Sequence, residues 1–551
     1  MGSIAWKRAS VSTLACAALL TSVAWAGSPA ADAAPLESGD VTATTTGSDD
    51  ATNGVAETEW GDDTSKQGKR ASKRTGSWDA SLDLGSAFST TRSIGAQAAW
   101  ALGVTGKDVT VAMVDTGTAP VAGLDDGARF LDGPDLSFES QEAGTRYRDG
   151  FGHGTHLAGL IAGADRGFDP KRPDPSLFAG VAPDAKLLNV KVGTGDGGAD
   201  VSQVIAAIDW VVEHRDDAGM RIRVLNLAYG TASTQSWQVD PLARAVENAW
   251  RNGILVVSSA GNDGSDGSSL LMPAVDPHVL AVGAVDHRGT IATDDDTVAD
   301  FSSVGNDERR ADVLAPGKSV VSLRAPGSNA DLQHPEGLVA GDDEGRYFRG
   351  SGTSQAAAIV AGEAALLFDA KPRLTPDEVK AVLMRTARPL GQADPAQGAG
   401  VTDVAAALAL VRSKATPDVA PSALPASTGL GSLEASRGGE HVVDPGTGIA
   451  LTGEIDALGS AWNGAAWVAA QHQGATWSKG LWNGRAWTGE KWKDKQVLGV
   501  RWTGDSWSGK PWADEGWSDD VWQARSWRGN SWKARSWREE SWKARSWRSL
   551  S

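Results

Sequence analysis

Three short stretches, Val114-Asp115-Thr116-Gly117, Gly152-His153-Gly154-Thr155-His156 and Ser351-Gly352-Thr353-Ser354-Gln355, set a carboxylate, an imidazole and a hydroxyl beside glycines. A serine hydroxyl is a weak nucleophile until an imidazole takes its proton. The imidazole does so only when a carboxylate fixes its tautomer and offsets its positive charge. Taken singly, each residue has an ordinary reading: a turn aspartate, a core histidine, a helix-capping serine. Taken together, Asp115, His153 and Ser354 form a candidate catalytic triad, with glycines that let backbone approach closely at all three places.

The surrounding pattern predicts how these groups are held. Val109 to Val114 (VTVAMV) is a continuous apolar run, suited to a strand buried on both faces of a parallel sheet, and places Asp115 at its carboxyl end. Open α/β sheets bind ligands at that end. Thr155 to Ile161 reads as a helix with His153 at its amino terminus, and Gln355 to Phe368 (QAAAIVAGEAALLF) as a buried helix starting at Ser354. Backbone N–H groups at that start would face a developing oxyanion. Ile254 to Ser258 (ILVVS) reads as another buried strand, delivering Asn262 just past its end. An amide donor there could share the oxyanion with the Ser354 N–H, an interaction worth about 3–4 kcal/mol in comparable sites.

With these residues in view, the chain resembles the subtilisin-like serine peptidases. The resemblance also draws on Met272-Pro273-Ala274, Val279 to Val285 (VLAVGAV) and Ala315-Pro316-Gly317, and covers residues 85–412. The order Asp, His, Ser differs from those of the chymotrypsin and α/β-hydrolase folds. The resemblance implies an α/β fold, a parallel sheet flanked by helices, and endopeptidase activity through an acyl-enzyme. It also implies that Leu225 to Gly230 is the edge strand pairing with an extended protein or peptide substrate. Leu227, Ala228, Tyr229 and Gly230 would then face Ala260 and Gly261 across the pocket for the residue before the cut. Met272-Pro273 matches a cis position of the family.

Several positions depart from the family pattern. Ala228 stands where Ser is frequent and Tyr229 where Leu is common, which would narrow the upstream subsites; Gln355-Ala356-Ala357-Ala358 lacks the usual Met and Pro. The loop Ala164 to Phe178 does not match the family's calcium loop, so Asp165, Asp169 and Asp174 read as weak cation candidates against an alternative as solvated loop acids. The chemistry itself requires no cofactor. His153 in the base position and Asn262 in the oxyanion position disfavour the sedolisin-like acid peptidases. A binding protein built on a degraded peptidase scaffold is the rival from another class, and it should have lost a catalytic group.

Lys7 and Arg8 precede the apolar stretch Val11 to Ala26, and Ala24-Trp25-Ala26 or Ala31-Asp32-Ala33 offers a small-residue cleavage site, so residues 1–34 read as a secretory signal with no membrane span after its removal. The single cysteine, Cys16, lies inside it, which leaves the mature chain without disulfides. Residues 35–84 have the composition of a disordered or pro-segment rather than a folded inhibitory domain. Lys69-Arg70 and Lys73-Arg74 are either processing sites or linker charges. A net charge of −17 over 551 residues favours solubility and argues against nucleic acid as a partner.

After a linker at 413–431, residues 432–551 carry tryptophans at a spacing of five: Trp462, Trp467, Trp477, Trp482, Trp487 and Trp492, then Trp502 through Trp547. Five residues advance about 140° on a helix and alternate faces on a strand, so neither element gathers the indoles on one side. A β- and turn-rich repeat domain would, with Gly464, Gly484, Gly489, Gly504, Gly509 and Gly529 supplying turns. Its indoles either stack as a core or lie exposed for glycan or cell-wall contact outside the cell. The end of the tail, with Arg525, Arg528, Lys533, Arg535, Arg538, Lys543, Arg545 and Arg548 against Glu539 and Glu540, is basic and suits anionic wall polymers.

Overall fold

The computed structural model describes residues 78–486 apart from 141–143, 218, 267–269, 289, 291–292, 392–393, 414–416, 418, 420–423, 440, 443–449, 458, 479–480 and 483–484. The described residues belong to one compact unit. The expected signal segment 1–34, the pairs Lys69-Arg70 and Lys73-Arg74, and the repeats from Trp487 onward lie outside them. Among the described residues no helix is long and apolar enough to cross a membrane.

The folded domain starts earlier than residue 85. Trp78 packs on Tyr347 with ring centroids 4.9 Å apart, and its Nε1 donates to Asp83 Oδ2 at 2.9 Å. Asp83 in turn pairs with Arg349, which holds its carboxyl below the usual range although burial alone would raise it. The end of the stretch read as a pro-segment is therefore tied to the domain by an indole and an ion pair. Helices α1 (Ala87–Ser93) and α2 (Ala96–Ala101) follow.

The sheet contains β1 (Thr110–Asp115), β2 (Phe130–Asp135), β3 (Lys186–Lys191), β4 (Ile222–Leu227), β5 (Leu255–Ser259) and β6 (Leu280–Asp286). They lie parallel in the order β2-β3-β1-β4-β5-β6. β7 (Thr297–Val298) adds antiparallel to β6, and β8 (Val313–Pro316) adds parallel to it. The chain turns outward to β3 and β2 on one side of β1 and to β4, β5 and β6 on the other. Asp115 thus ends the strand at the topological switch point, where α/β sheets place their ligands.

Every residue of β1 and β5 is buried because helices cover both faces of the sheet. On one face lie α3 (His153–Ala162) and α7 (Thr353–Ala370); on the other lie α4 (Val201–Glu213) and α5 (Pro241–Arg251). From Thr353 to Phe368 α7 is buried on all sides, as an Ala-rich helix without a polar face must be. Beyond β8, the hairpin of β9 (Val320–Leu323) and β10 (Tyr347–Gly350), with the short α6 (Asn329–Gln333) between them, delivers the chain to α7. Helices α8 (Pro376–Thr386) and α9 (Val404–Arg412) then follow, with α9 packed beside α7 and α8 against α9.

One expectation is corrected by the topology. Leu225 to Leu227 do not form an edge: β4 is paired on both sides, with Leu225 opposite Ala112 of β1 and Val256 of β5, and Leu227 opposite Ser258. Their backbone groups are committed to the sheet. Only Ala228 to Gly230, past the strand end, remain as backbone that a substrate strand could meet.

Part of the stretch read as linker and the start of the carboxyl-terminal extension fold onto the domain. Helices α10 (Leu433–Arg437) and α11 (Gly464–His472) and a small ribbon of β11 (Trp477–Ser478), β12 (Leu481–Trp482) and β13 (Arg485–Ala486) follow residue 424. They pack outside α4 and α5 as a further layer of the same core, which includes Trp467, Trp477 and Trp482. The start of this layer is fixed within the stretch read as linker, where Ser427 N donates to Glu247 Oε1 at 2.8 Å. Among the described residues, Trp467, Trp477 and Trp482 sit in α11, β11 and β12.

Candidate active site

His153 is the first residue of α3, and the turn that presents it depends on two glycines. Gly152 adopts φ +103°, a conformation that costs other residues strain, and a Cβ on Gly154 would sit 2.1 Å from Gly117 O. Asp149, three residues before the helix cap, substitutes for a capping side chain: its Oδ2 accepts Thr155 N at 2.7 Å and its Oδ1 accepts Gly152 N at 2.6 Å. Thr116 ties this turn to the end of β1, donating from Oγ1 to Asp149 Oδ1 at 2.8 Å and accepting Gly154 N at 2.9 Å. Neither Asp149 nor Thr116 was singled out from sequence, although Thr116 stands inside one of the glycine-flanked stretches that were and Asp149 just before another.

This scaffold sets His153 Nδ1 2.8 Å from Asp115 Oδ1, with both residues buried. A carboxylate only accepts, so Nδ1 carries the proton and the neutral ring presents Nε2 as its basic nitrogen. His156, one turn along, is pushed down to about 3 by burial and by the neighbouring His153, and it stays neutral. It therefore adds no competing positive charge.

Ser354 is the second residue of α7, and two ties align α7 with α3. His156 Nε2 donates to Phe348 O at 3.1 Å just before α7 begins. Further along, a Cβ on Gly362 would lie 3.3 Å from Ile161 O. Ile161 and Gly362 stand equally far from His153 and Ser354 along their helices, so α3 and α7 run side by side from a shared origin. Ser354 and His153 both belong to the first turns of these helices.

Asn262 follows β5 and is held by Thr353, a residue of the serine stretch to which the sequence assigned no role. Thr353 donates to Asn262 Oδ1 from its backbone N at 2.9 Å and from Oγ1 at 3.0 Å. Two donors on one oxygen fix the amide orientation and leave Nδ2 as the donor end. The Ser354 N–H lies in the same first helical turn, whose N–H groups lack intrahelical partners.

Ala228 and Tyr229 are buried at the rim beyond β4, and Ala260 and Gly261 at the rim beyond β5. The two walls converge on Leu271, another residue the sequence did not flag. A Cβ on Gly230 would lie 2.7 Å from Leu271 Cβ, and one on Gly261 2.9 Å from Leu271 Cγ. Thr231 and Met272 then exchange backbone hydrogen bonds at 2.9 Å, next to the cis Met272-Pro273 bond.

The three loop aspartates considered for a cation do not fit one. Asp165 uses Oδ2 to accept Phe178 N at 2.9 Å, and both its oxygens pair with the guanidinium of Arg346. Asp169 faces Lys171 N and Arg172, and Asp174 accepts Ser176 N. Each carboxylate already serves a positive or N–H donor of its own, and on Asp165 and Asp169 that donor includes a guanidinium.

The chain matches the Subtilase family over residues 106–401. It is 38% identical to the serine protease AprX of Bacillus subtilis (strain 168) over 286 residues, which is 51% of this chain and 61% of that protein. It is 33% identical to subtilisin DY of Bacillus licheniformis over 299 residues, covering 53% of this chain and 88% of that one. Against the minor extracellular protease Epr of Bacillus subtilis (strain 168) it is 29% identical over 295 residues, and there it spans only 37% of the relative. With its parallel sheet, its helix-borne histidine and serine and this match across more than half its length, the chain belongs to the subtilase family.

Proposed function

We propose that this protein is a secreted serine endopeptidase that hydrolyses peptide bonds through an acyl-enzyme on Ser354. The observation that carries the reading is the Asp115–His153 hydrogen bond at the head of α3, with Ser354 in the first turn of α7, the helix packed against α3. Ser354 Oγ attacks the peptide carbonyl while His153 Nε2 takes its proton and passes it to the leaving amine. Asp115 orients the ring and balances its charge. Asn262 Nδ2 and the Ser354 N–H hold the oxyanion, with Thr353 keeping the amide turned the right way. Water then enters by the same acid–base path and releases the acyl group. Side chains and backbone perform every step, so no cofactor is required.

The substrate backbone would meet Ala228 to Gly230 on one side and Ala260-Gly261 on the other. Leu271 fills the space between these walls, which favours a small side chain on the residue before the cut. The reading of the compartment rests on the apolar stretch Val11 to Ala26 behind Lys7 and Arg8. For the basic end of the tail we infer contact with anionic wall polymers; full-length chain retained on wall material, and a chain ending at residue 486 washed off, would support it.

Labelling with a fluorophosphonate tests the central assignment. The wild-type chain should react at Ser354, and Ser354→Ala should fold and show no labelling. Undiminished labelling of the variant would overturn it.

A further inference from the structure

The two helices that follow the strands flanking β1 both begin on an aspartate cap, and the carboxyl-terminal extension holds both caps. Asp200 caps α4, its Oδ1 accepting Ser202 N at 2.9 Å, and Asp240 caps α5, its Oδ1 accepting Leu242 N at 2.8 Å. From α10, Arg437 Nε donates to Asp200 Oδ2 at 2.6 Å and Ser436 Oγ donates to Asp240 Oδ1 at 2.9 Å. Arg437 is itself fixed within the extension, donating to Gly453 O at 2.7 Å and Glu434 Oε2 at 3.0 Å.

The segments that end on these caps border the site. Residues 192–200 depart from the triad aspartate, with Val192 N and Gly193 N donating to Asp115 O at 2.9 and 3.2 Å. Residues 228–234 depart from β4 and are gripped by α10, where Thr231 Oγ1 donates to Ser436 O at 2.6 Å and Thr234 N to Ala435 O at 3.0 Å. One short helix from the distant end of the chain therefore bridges both sides of the rim above Asp115.

We propose that Ser436 and Arg437 are positioning residues for substrate binding: by tying segment 228–234 to segment 192–200 beside Asp115, they set where Ala228 to Gly230, the wall proposed above for the upstream part of the substrate, stand in the site. The inference rests on the peptidase reading above. Neither residue touches the reacting atoms, and their effect passes through the backbone that grips the upstream part of the substrate. Loss of such binding raises KM and leaves kcat unchanged.

The test uses the full chain as Ser436→Ala, Arg437→Gln and Arg437→Lys, assayed on a series of peptides that differ in how many residues precede the cut. KM for the longest peptide should rise about tenfold in Arg437→Gln, the effect of one charge-assisted hydrogen bond, with less change in Ser436→Ala and partial recovery in Arg437→Lys. The shortest peptide should respond to none of them. A folded variant whose ratio of long- to short-peptide KM equals that of wild type, or whose kcat alone falls, overturns the proposal. Removing one side of a buried ion pair leaves the other charge uncompensated. If Arg437→Gln does not fold for that reason, Ser436→Ala, which removes a hydroxyl and no charge, decides by the same ratio. A wild-type chain that cleaves none of the peptides would overturn the peptidase reading itself, and this inference with it.

Discussion

Trp467 and Trp482 donate their indole N–H groups to the same carboxylate oxygen, Oδ2 of Asp209, at 2.7 and 2.9 Å. Gln471 Nε2 takes the other oxygen at 3.1 Å, and Trp477 Nε1 reaches Ala206 O on the same helix at 2.8 Å. Burial still dominates and pushes the Asp209 carboxyl up to about 6 in spite of these donors. The extension is thereby stitched to α4, and the peptidase domain and the start of the tail share one core.

Shortening Trp467 should destabilise the whole domain. Trp467→Ala removes a fully buried indole and one donor to Asp209, a loss of about 3–5 kcal/mol. Trp467→Phe keeps most of the burial and should cost less. Urea unfolding followed by circular dichroism measures both; an Ala variant as stable as wild type would mean the extension is not part of the core.

Oxyanion stabilisation can be separated from substrate binding at Asn262. Asn262→Leu should lower kcat about 10²- to 10³-fold with little change in KM. Thr353→Val, which keeps the backbone donor and removes the Oγ1 donor to Asn262 Oδ1, should lower kcat by a smaller factor in the same direction. Steady-state kinetics on one peptide would show whether the loss falls on KM instead.

Glu363 gives the fold a pH dependence of predictable sign. It is buried in α7, its Oε1 accepts Thr402 Oγ1 at 2.9 Å, and burial pushes its carboxyl from an ordinary 4.5 up to about 8. A raised carboxyl binds its proton more tightly in the folded chain, so its contribution is full at low pH, falls as pH rises from 4.5 to about 8, and is flat above. Glu363→Gln mimics the protonated form. Its melting temperature relative to wild type should climb across that interval and level off; a difference independent of pH would refute the assignment.

Specificity should yield at Leu271. Leu271→Ala empties the space between Gly230 and Gly261, and cleavage-site profiling against a mixed peptide library should shift from small residues before the cut toward larger ones. An unchanged profile would place the restriction elsewhere, with Tyr229 the next residue to vary.

Legibility differed from residue to residue. Asp115, His153, Ser354 and Asn262 stood out because close backbone approach demands glycine, and buried strands and helices demand unbroken apolar runs; both demands leave local marks. Thr353, Asp149 and Leu271 left no such mark, since a threonine, an aspartate and a leucine suit many settings, and only their neighbours in space give them a task. The resemblance implied an edge at Leu225 to Leu227, and no local mark could correct it, because strand pairing is a relation between segments and the partners β1 and β5 come from distant parts of the chain.

By itself, the order of residues determined which groups could do chemistry, which strands and helices would carry them, and that indoles recur at a fixed interval in the tail. The tertiary structure alone decided where those first indoles go. A period of five places tryptophans on no single face of any regular element, so their burial had to be arranged by a partner surface: the side of α4 with Asp209 at its centre.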